Sequence, residues 1–103
     1  MTPPELPPSA RVFHQAVRTR LALILFLSER SFTQLKAALS ITDGNLDAHL
    51  RKLSAAGYLH SRMVTEGRPR TLYRLSESGG EAFRSYVACL REMCDAADRG
   101  SPV

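Results

Sequence analysis

The chain of 103 residues is the size of one domain, and its 44% apolar and 23% charged residues are an ordinary globular composition. The longest apolar run, residues 21–27, is far shorter than the roughly 20 residues of a membrane span. The N-terminus lacks the basic segment, apolar stretch and cleavage site of a signal peptide. We therefore expect a cytoplasmic protein with no membrane partner.

The net charge of +4 is unevenly distributed along the chain. Residues 42–75 contain six Lys or Arg and three acidic residues, whereas residues 76–103 contain three Arg and five acidic residues. A basic middle segment beside an acidic C-terminal segment predicts that one part of the molecule faces a polyanion.

The N-terminal third predicts an arm followed by a helix. Residues 1–8 contain four of the six prolines and are expected to form a flexible arm. Ser9 is the expected N-cap of a helix over 10–28, with a break near His14. The end of this helix is apolar on most of its circumference, which predicts burial on two sides and therefore a second subunit.

The remaining elements predict a helix-turn-helix, a hairpin and a long last helix. Thr33 is expected to cap a helix over 34–39, and Thr42 a helix over 42–56 that stops at Gly57. Alternating strands at 58–64 and 71–75 flank a loop at 65–70. Ser76 begins a helix whose apolar residues repeat every 3.5 positions to about residue 97. A disordered tail is expected over 98–103.

The predicted fold is α+β and mainly α: a winged helix-turn-helix with a two-stranded β-wing and a C-terminal dimerisation helix, occupying residues 9–97. Within the third helix, Leu46, Leu50 and Leu53 share one face and must point to the core. The opposite face carries small or polar residues: Gly44, Asn45, Ala48, Arg51, Lys52 and Ala55.

That opposite face has the chemistry of a DNA reader. Gly44 and Ala48 allow close approach to a groove floor, and Asn45 can pair with adenine. Arg51 can contact guanine or phosphate, Lys52 suits phosphate, and Thr42 begins a helix whose free N–H groups suit a phosphate. Asp47 precedes Arg51 by four residues, so we interpret it as the partner of that arginine, with a contact to cytosine as the alternative.

The hairpin loop strengthens this hypothesis, because Arg68 and Arg70 flank Pro69 on a projection that could enter a minor groove.

The sequence resembles the small MarR/ArsR-like winged-helix regulators across residues 12–96. Four segments, in this order and spacing, carry the resemblance: Thr-Asp-Gly-Asn-Leu at 42–46, His-Leu-Arg-Lys-Leu at 49–53, Ala-Gly-Tyr at 56–58 and Gly-Arg-Pro-Arg-Thr at 67–71.

The resemblance implies a winged helix, dimerisation through the first and last helices, and binding of a double-stranded DNA operator to regulate transcription, with repression as the expected effect. It also implies DNA contacts from Thr42, Gly44, Asn45, His49 and Arg51 on the recognition helix, and from Arg68, Arg70 and Thr71 on the wing. Asp47 and Gly80 depart from the family pattern.

A homodimer interface is predicted on the apolar faces of the first and last helices. Its expected residues are Phe13, Leu23, Phe26, Leu27, Phe83, Tyr86, Val87, Leu90, Met93 and Cys94. A small-molecule effector, if one binds, would occupy this interface.

Three other functions would require other features of the sequence. A metal or thiol sensor would need clustered ligands, but Cys89 and Cys94 form no Cys-x-x-Cys pair, so we expect no metal and no cofactor. Cys94 on the apolar seam is expected in the core and Cys89 at the surface, where an intersubunit disulfide stays an alternative. An enzyme is not expected, because no phosphate loop or nucleophile motif is present. A winged helix that binds only proteins remains open.

Overall fold

The computed structural model describes residues 2–100. A 3-10 helix, Pro8–Phe13, precedes four α-helices and three short strands. In chain order these are α1 Ala16–Leu27, β1 Arg30–Ser31, α2 Phe32–Leu39, α3 Asp43–Ala55, β2 Leu59–Val64, β3 Arg70–Leu75 and α4 Glu77–Arg99. Within residues 2–100, no helix combines the length and hydrophobicity that crossing a membrane requires.

The predicted first helix is two elements. Consecutive prolines start the 3-10 helix at Pro8, since a proline needs no helical N–H partner at this position, and Ser9 lies inside the element instead of capping it. The helical conformation is interrupted at His14, as predicted. The next helix, α1, begins after Gln15, whose side chain accepts a hydrogen bond from the Arg18 backbone N–H at 2.8 Å. The break turns Phe13 fully into the core.

The helix-turn-helix has the predicted order with one different cap. Ser31, not Thr33, begins α2, because Ser31 and Gln34 form a reciprocal capping box. Ser40 ends α2 in the left-handed conformation, and Thr42 caps α3 by accepting from the Asn45 backbone N–H at 3.2 Å. Leu46, Leu50 and Leu53 are all buried, as predicted.

The wing is an antiparallel hairpin whose register runs from Leu59 opposite Leu75 to Val64 opposite Arg70. Gly67 takes a positive φ of 70° in the connecting loop. A third strand, β1, pairs with β3 through Arg30 opposite Tyr73, so the sheet order is β1-β3-β2. The sequence analysis missed β1, because two residues are too few for a visible alternation.

The last helix begins at its predicted cap, where Ser76 accepts from the Gly79 backbone N–H at 3.0 Å. Gly79 lies so close to the Tyr58 backbone that a Cβ atom at this position would come 2.9 Å from the Tyr58 Cα. The helix continues to Arg99, so the predicted disordered tail is wrong at residues 98 and 99. Residues 101–103 of that tail lie outside the described residues.

One core joins all the helices to the base of the wing, and Phe13 lies at its aromatic centre. The ring of Phe13 stacks on Tyr58 at 5.5 Å and meets the rings of Phe83 and Tyr86 at 5.3 and 5.8 Å between centroids. Phe13, Phe83 and Tyr86 are at most 3% exposed. Our assignment of these three side chains to a dimer interface is therefore corrected, since they fill the chain's own core.

The two cysteines occupy the opposite environments from those predicted. Cys89 is buried, and its Sγ donates to the Glu5 carbonyl oxygen at 3.4 Å, whereas Cys94 is exposed on α4. The arm supplies the reason, because residues 2–7, which have no regular secondary structure, bring Glu5 and Leu6 onto the protein. Sequence periodicity along α4 could not reveal what the arm covers.

Candidate nucleic-acid interface

The outward face of α3 is the first part of the candidate interface. All six residues assigned to it are exposed: Gly44, Asn45, Ala48, Arg51, Lys52 and Ala55. The buried Leu46, Leu50 and Leu53 on the other side hold this face in a fixed orientation. Thr42 is also exposed, and its side-chain oxygen is used by the cap. The result is an exposed helix surface that carries small residues and polar groups.

Two ion pairs modify the charge of this face. Asp47 Oδ2 lies 2.8 Å from Arg51 Nε, which is the pairing we inferred from their spacing. This contact uses Nε, and a guanidinium has five N–H donors, so Arg51 keeps further donors for a ligand. Lys36 Nζ, on α2, lies 2.8 Å from Asp43 Oδ1. Sequence analysis missed this second pair, because it joins two helices.

His49 lies at the edge of the α3 face and is half-buried. Its Nδ1 is 3.3 Å from Nη1 of Arg18, a residue of α1 that the sequence analysis did not single out. Burial lowers the pKa of His49 below its ordinary value, and the neighbouring Arg18 charge lowers it further. His49 therefore remains neutral at and above neutral pH.

The wing supplies the second part of the interface. Residues 65–70 are exposed, and Arg70 Nη1 donates to the Arg68 carbonyl oxygen at 3.4 Å. Among residues 2–100, no carboxylate lies within ion-pair distance of Arg68 or Arg70. No acidic side chain of the described residues therefore competes with a polyanion for these two guanidinium groups. Thr71, the last predicted wing contact, is half-buried, and its hydroxyl lies 4.0 Å from Met63 Sδ.

The wing and the start of α2 line one groove of about 490 Å³. Ser31, Phe32 and Thr33 form one wall, and residues 68–71 with Tyr73 form the other. The start of α2 was not among the predicted site residues. The signal that could have found it is the capping-box pattern of Ser31 and Gln34, because this pattern marks the start of a helix. The N–H groups that remain free at a helix start can contact anions.

An apolar surface lies at the junction of α1 and α4. Leu23 and Leu27 are 48% and 71% exposed and lie one turn apart on α1. Beside them a groove of about 400 Å³ contains Phe26 and Val87. The other residues predicted for dimerisation on α4 remain partly or fully exposed: Leu90, Met93 and Cys94.

The part of the chain that the structure describes contains no group of three His, Cys, Asp or Glu residues placed to hold a metal ion. Cys89, for which an intersubunit disulfide was the alternative, is buried under the arm, whereas the Cys94 thiol is exposed.

Comparison with known proteins agrees with this architecture. A family model described as a winged helix DNA-binding domain matches residues 17–94. An uncharacterised protein of Methanocaldococcus jannaschii is 37% identical over 79 residues, which are 75% of this chain and 86% of the relative. A solved transcriptional regulator homologue from Pyrococcus horikoshii superposes with a TM-score of 0.80 at 28% identity, covering 86% of this chain and 90% of its own.

A transcriptional regulator of the MarR family from Enterococcus faecalis superposes with a TM-score of 0.67 at 25% identity, covering 87% of this chain and 79% of its own. The resemblance to MarR-like winged-helix regulators, inferred from the motifs, is confirmed. Because the family model covers α3, the wing and most of α4, the chain belongs to the family of winged-helix DNA-binding domains.

Proposed function

We propose that the protein is a cytoplasmic, non-enzymatic regulator of transcription that binds a specific double-stranded DNA operator as a homodimer. In this proposal α3 lies in the major groove and the wing lies on the adjacent minor groove or backbone. One observation carries it: an exposed α3 face of small and polar residues stands beside a wing whose Arg68 and Arg70 have no acidic partner in the described chain.

The α3 face supports base recognition. Asn45 matches the paired acceptor and donor of adenine, and the further N–H donors of Arg51 match O6 and N7 of guanine. The ion pair with Asp47 limits the directions that the Arg51 side chain can take, which favours one base position over its neighbours. Lys52 and the Thr42 end of the helix suit phosphates that fix the register.

The wing supports affinity more than sequence discrimination. Arg68 and Arg70 carry two positive charges on an exposed loop, and neutralising phosphates releases counterions whatever the base sequence. The groove between the wing and the start of α2 is the place that we propose for the sugar-phosphate backbone, with Ser31 and Thr33 as polar partners on its other wall.

The α1–α4 surface supports dimerisation. Leu23, Leu27 and the groove beside Phe26 and Val87 leave apolar surface in water, and burying it at about 25 cal/mol per Å² would stabilise a pair of chains. A two-fold axis through this surface relates two α3 helices, which must lie about 34 Å apart to read successive major grooves. Any small-molecule effector would be expected at this same junction.

The decisive experiment selects bound fragments from a genomic DNA library and then measures fluorescence anisotropy on the best fragment across a salt series. We expect a palindromic site, a steep salt slope and two chains per site. Arg51→Ala should weaken specific binding by about 1–3 kcal/mol and relax the choice of one base. Arg68→Ala should weaken binding to all sequences and reduce the salt slope by about one unit.

Arg99→Ala is the matched control for lost charge, because Arg99 ends α4 beside the N-terminal arm and outside both parts of the interface. Binding that ignores sequence at all salt concentrations would refute the operator proposal. A monomer at micromolar concentration in sedimentation, together with one chain per DNA site, would refute the dimer. Leu27→Asp should abolish dimerisation without unfolding the chain, because Leu27 is 71% exposed.

A further inference from the structure

The Arg18 side chain joins the start of α1 to the recognition helix. Its Nε donates to the Val12 carbonyl oxygen at 2.7 Å, and its Nη1 lies 3.3 Å from His49 Nδ1. Arg18 is half-buried, and the Val12 carbonyl near the end of the 3-10 helix anchors its guanidinium. The hydrogen bond to the Val12 carbonyl therefore helps to fix the orientation in which the Arg18 guanidinium meets His49.

The chemistry of the two groups determines where the imidazole proton lies. A guanidinium has five N–H donors and no acceptor, so it can contact a ring nitrogen only as a donor. His49 Nδ1 must then be the acceptor, which requires a neutral imidazole without a proton on Nδ1. The proton of the ring therefore sits on Nε2.

The surrounding charge favours the same state. Arg18 reaches His49 from α1, and its guanidinium lies 3.3 Å from the ring nitrogen. Protonation of His49 would place a second positive charge directly beside that of Arg18. The lowered pKa of His49, caused by burial and then by Arg18, agrees with this argument.

The position of His49 on α3 would allow its neutral imidazole to contact DNA. His49 follows Asn45 by one helical turn and so lies on the same side of α3 as that candidate adenine contact. We propose that Arg18 is a positioning residue that holds His49 as the neutral Nε2–H tautomer, so that the recognition helix presents one hydrogen-bond donor to an acceptor on DNA. Suitable acceptors are guanine N7 or O6, adenine N7, thymine O4 or a phosphate oxygen.

This inference rests on the proposed function, but its first test needs no DNA. The ring nitrogens of His49 in ¹⁵N-labelled protein report which nitrogen carries the proton and at which pH the ring titrates. We expect the proton on Nε2 in the native chain. Arg18→Met should increase the Nδ1–H population and raise the pKa, while Arg18→Lys, which keeps a donor and a charge, should restore most of both. A circular dichroism spectrum checks that each variant is folded.

Two results would overturn the proposal at this stage. One is a proton on Nδ1 of His49 in the native protein. The other is an Arg18→Met variant whose tautomer populations and titration equal those of the native chain, since Arg18 would then only tie α1 to α3.

The second test uses two amides as mimics of the imidazole. The Gln amide nitrogen reaches the place of Nε2, and the Asn amide nitrogen reaches only the place of Nδ1. On the selected DNA site, His49→Gln should bind within about three-fold of the native protein, and His49→Asn should bind roughly three- to ten-fold more weakly, as expected for one lost hydrogen bond. Equal affinities, or the reverse order, would overturn the DNA-facing donor.

The pH dependence of binding separates this role from a structural one. The native protein should bind its site equally well from about pH 7 to about pH 8, because a neutral donor does not titrate there. Arg18→Met should bind more tightly as the pH falls, since its freed imidazole can then become a cation facing phosphate. If neither the native chain nor any variant binds DNA sequence-specifically, while the proton lies on Nε2 as expected, the proposed function and the DNA contact of His49 are refuted. The positioning of His49 by Arg18 is then still supported.

Discussion

Gly79 is the residue at which local helix propensity and tertiary packing make opposite predictions. Exchanging glycine for alanine inside a helix stabilises it by up to about 1 kcal/mol. At Gly79, however, the new Cβ would meet the Tyr58 backbone at under 3.0 Å, and backbone cannot move aside as a flexible side chain can. Overpacking of this kind costs about 1–3 kcal/mol, and rigid contact favours the upper end.

The expected net effect of Gly79→Ala is therefore a loss of about 2 kcal/mol. For a domain of this size, that corresponds to a melting temperature lower by about 8–16 °C. Part of this loss should come from the joint at which the Ser76 backbone N–H donates to the Tyr58 carbonyl oxygen at 2.8 Å, because α4 must shift away from Tyr58.

Gly80→Ala is a matched control one residue away. Its new Cβ would meet only the Phe26 ring, at 4.0 Å, which is ordinary contact. This variant should gain up to about 1 kcal/mol and unfold at a higher urea concentration. Both variants and the native chain are compared at one protein concentration, because dimerisation makes stability depend on concentration. A Gly79→Ala protein as stable as Gly80→Ala would refute the close approach of α4 to Tyr58.

Three further changes test the α3 region. Thr42→Ala should cost about 1 kcal/mol in urea unfolding by removing the cap, whereas Thr42→Ser should retain it; equal losses would argue against capping. Asp47→Ala should tighten binding to DNA of any sequence by about 1 kcal/mol, roughly five-fold in anisotropy titrations, because a repelling carboxylate is lost; unchanged affinity would place Asp47 away from DNA. Because the pKa of His49 is lowered in the folded chain, the unfolded state binds more protons just below pH 6.5, and the free energy of unfolding should fall as the pH falls there. His49→Gln should remove this component from the dependence of stability on pH. The same dependence in the variant and the native chain would contradict the lowered pKa.

Short-range patterns were sufficient for most of the fold. Thr42 and Ser76 were recognised as caps because an N-cap acts on a backbone N–H only three residues away. The buried face of α3 followed from its helical period, and the Asp47–Arg51 pair followed from an i,i+4 spacing. Each of these features depends on neighbours in the chain, so the printed sequence contains the information directly.

The errors occurred where distant segments meet. The third strand β1 exists because Arg30 and Ser31 pair with β3, some forty residues later, and two residues have no pattern of their own. Cys89 was expected at the surface, but the N-terminal arm covers it. Phe13 was expected at a subunit interface, but the rings of Tyr58, Phe83 and Tyr86 enclose it within one chain.

The candidate interface divides in the same way. The sequence by itself determined α3 and its exposed face, the arginine-bearing wing and the order of the elements, because these depend on helical period, turn residues and local charge. Only the tertiary structure decided that Arg18 meets His49, that the start of α2 faces the wing, and that Leu23 and Leu27 stay in water. Those contacts arise when the core brings together residues far apart in the chain, and no local propensity encodes which distant partner a side chain meets.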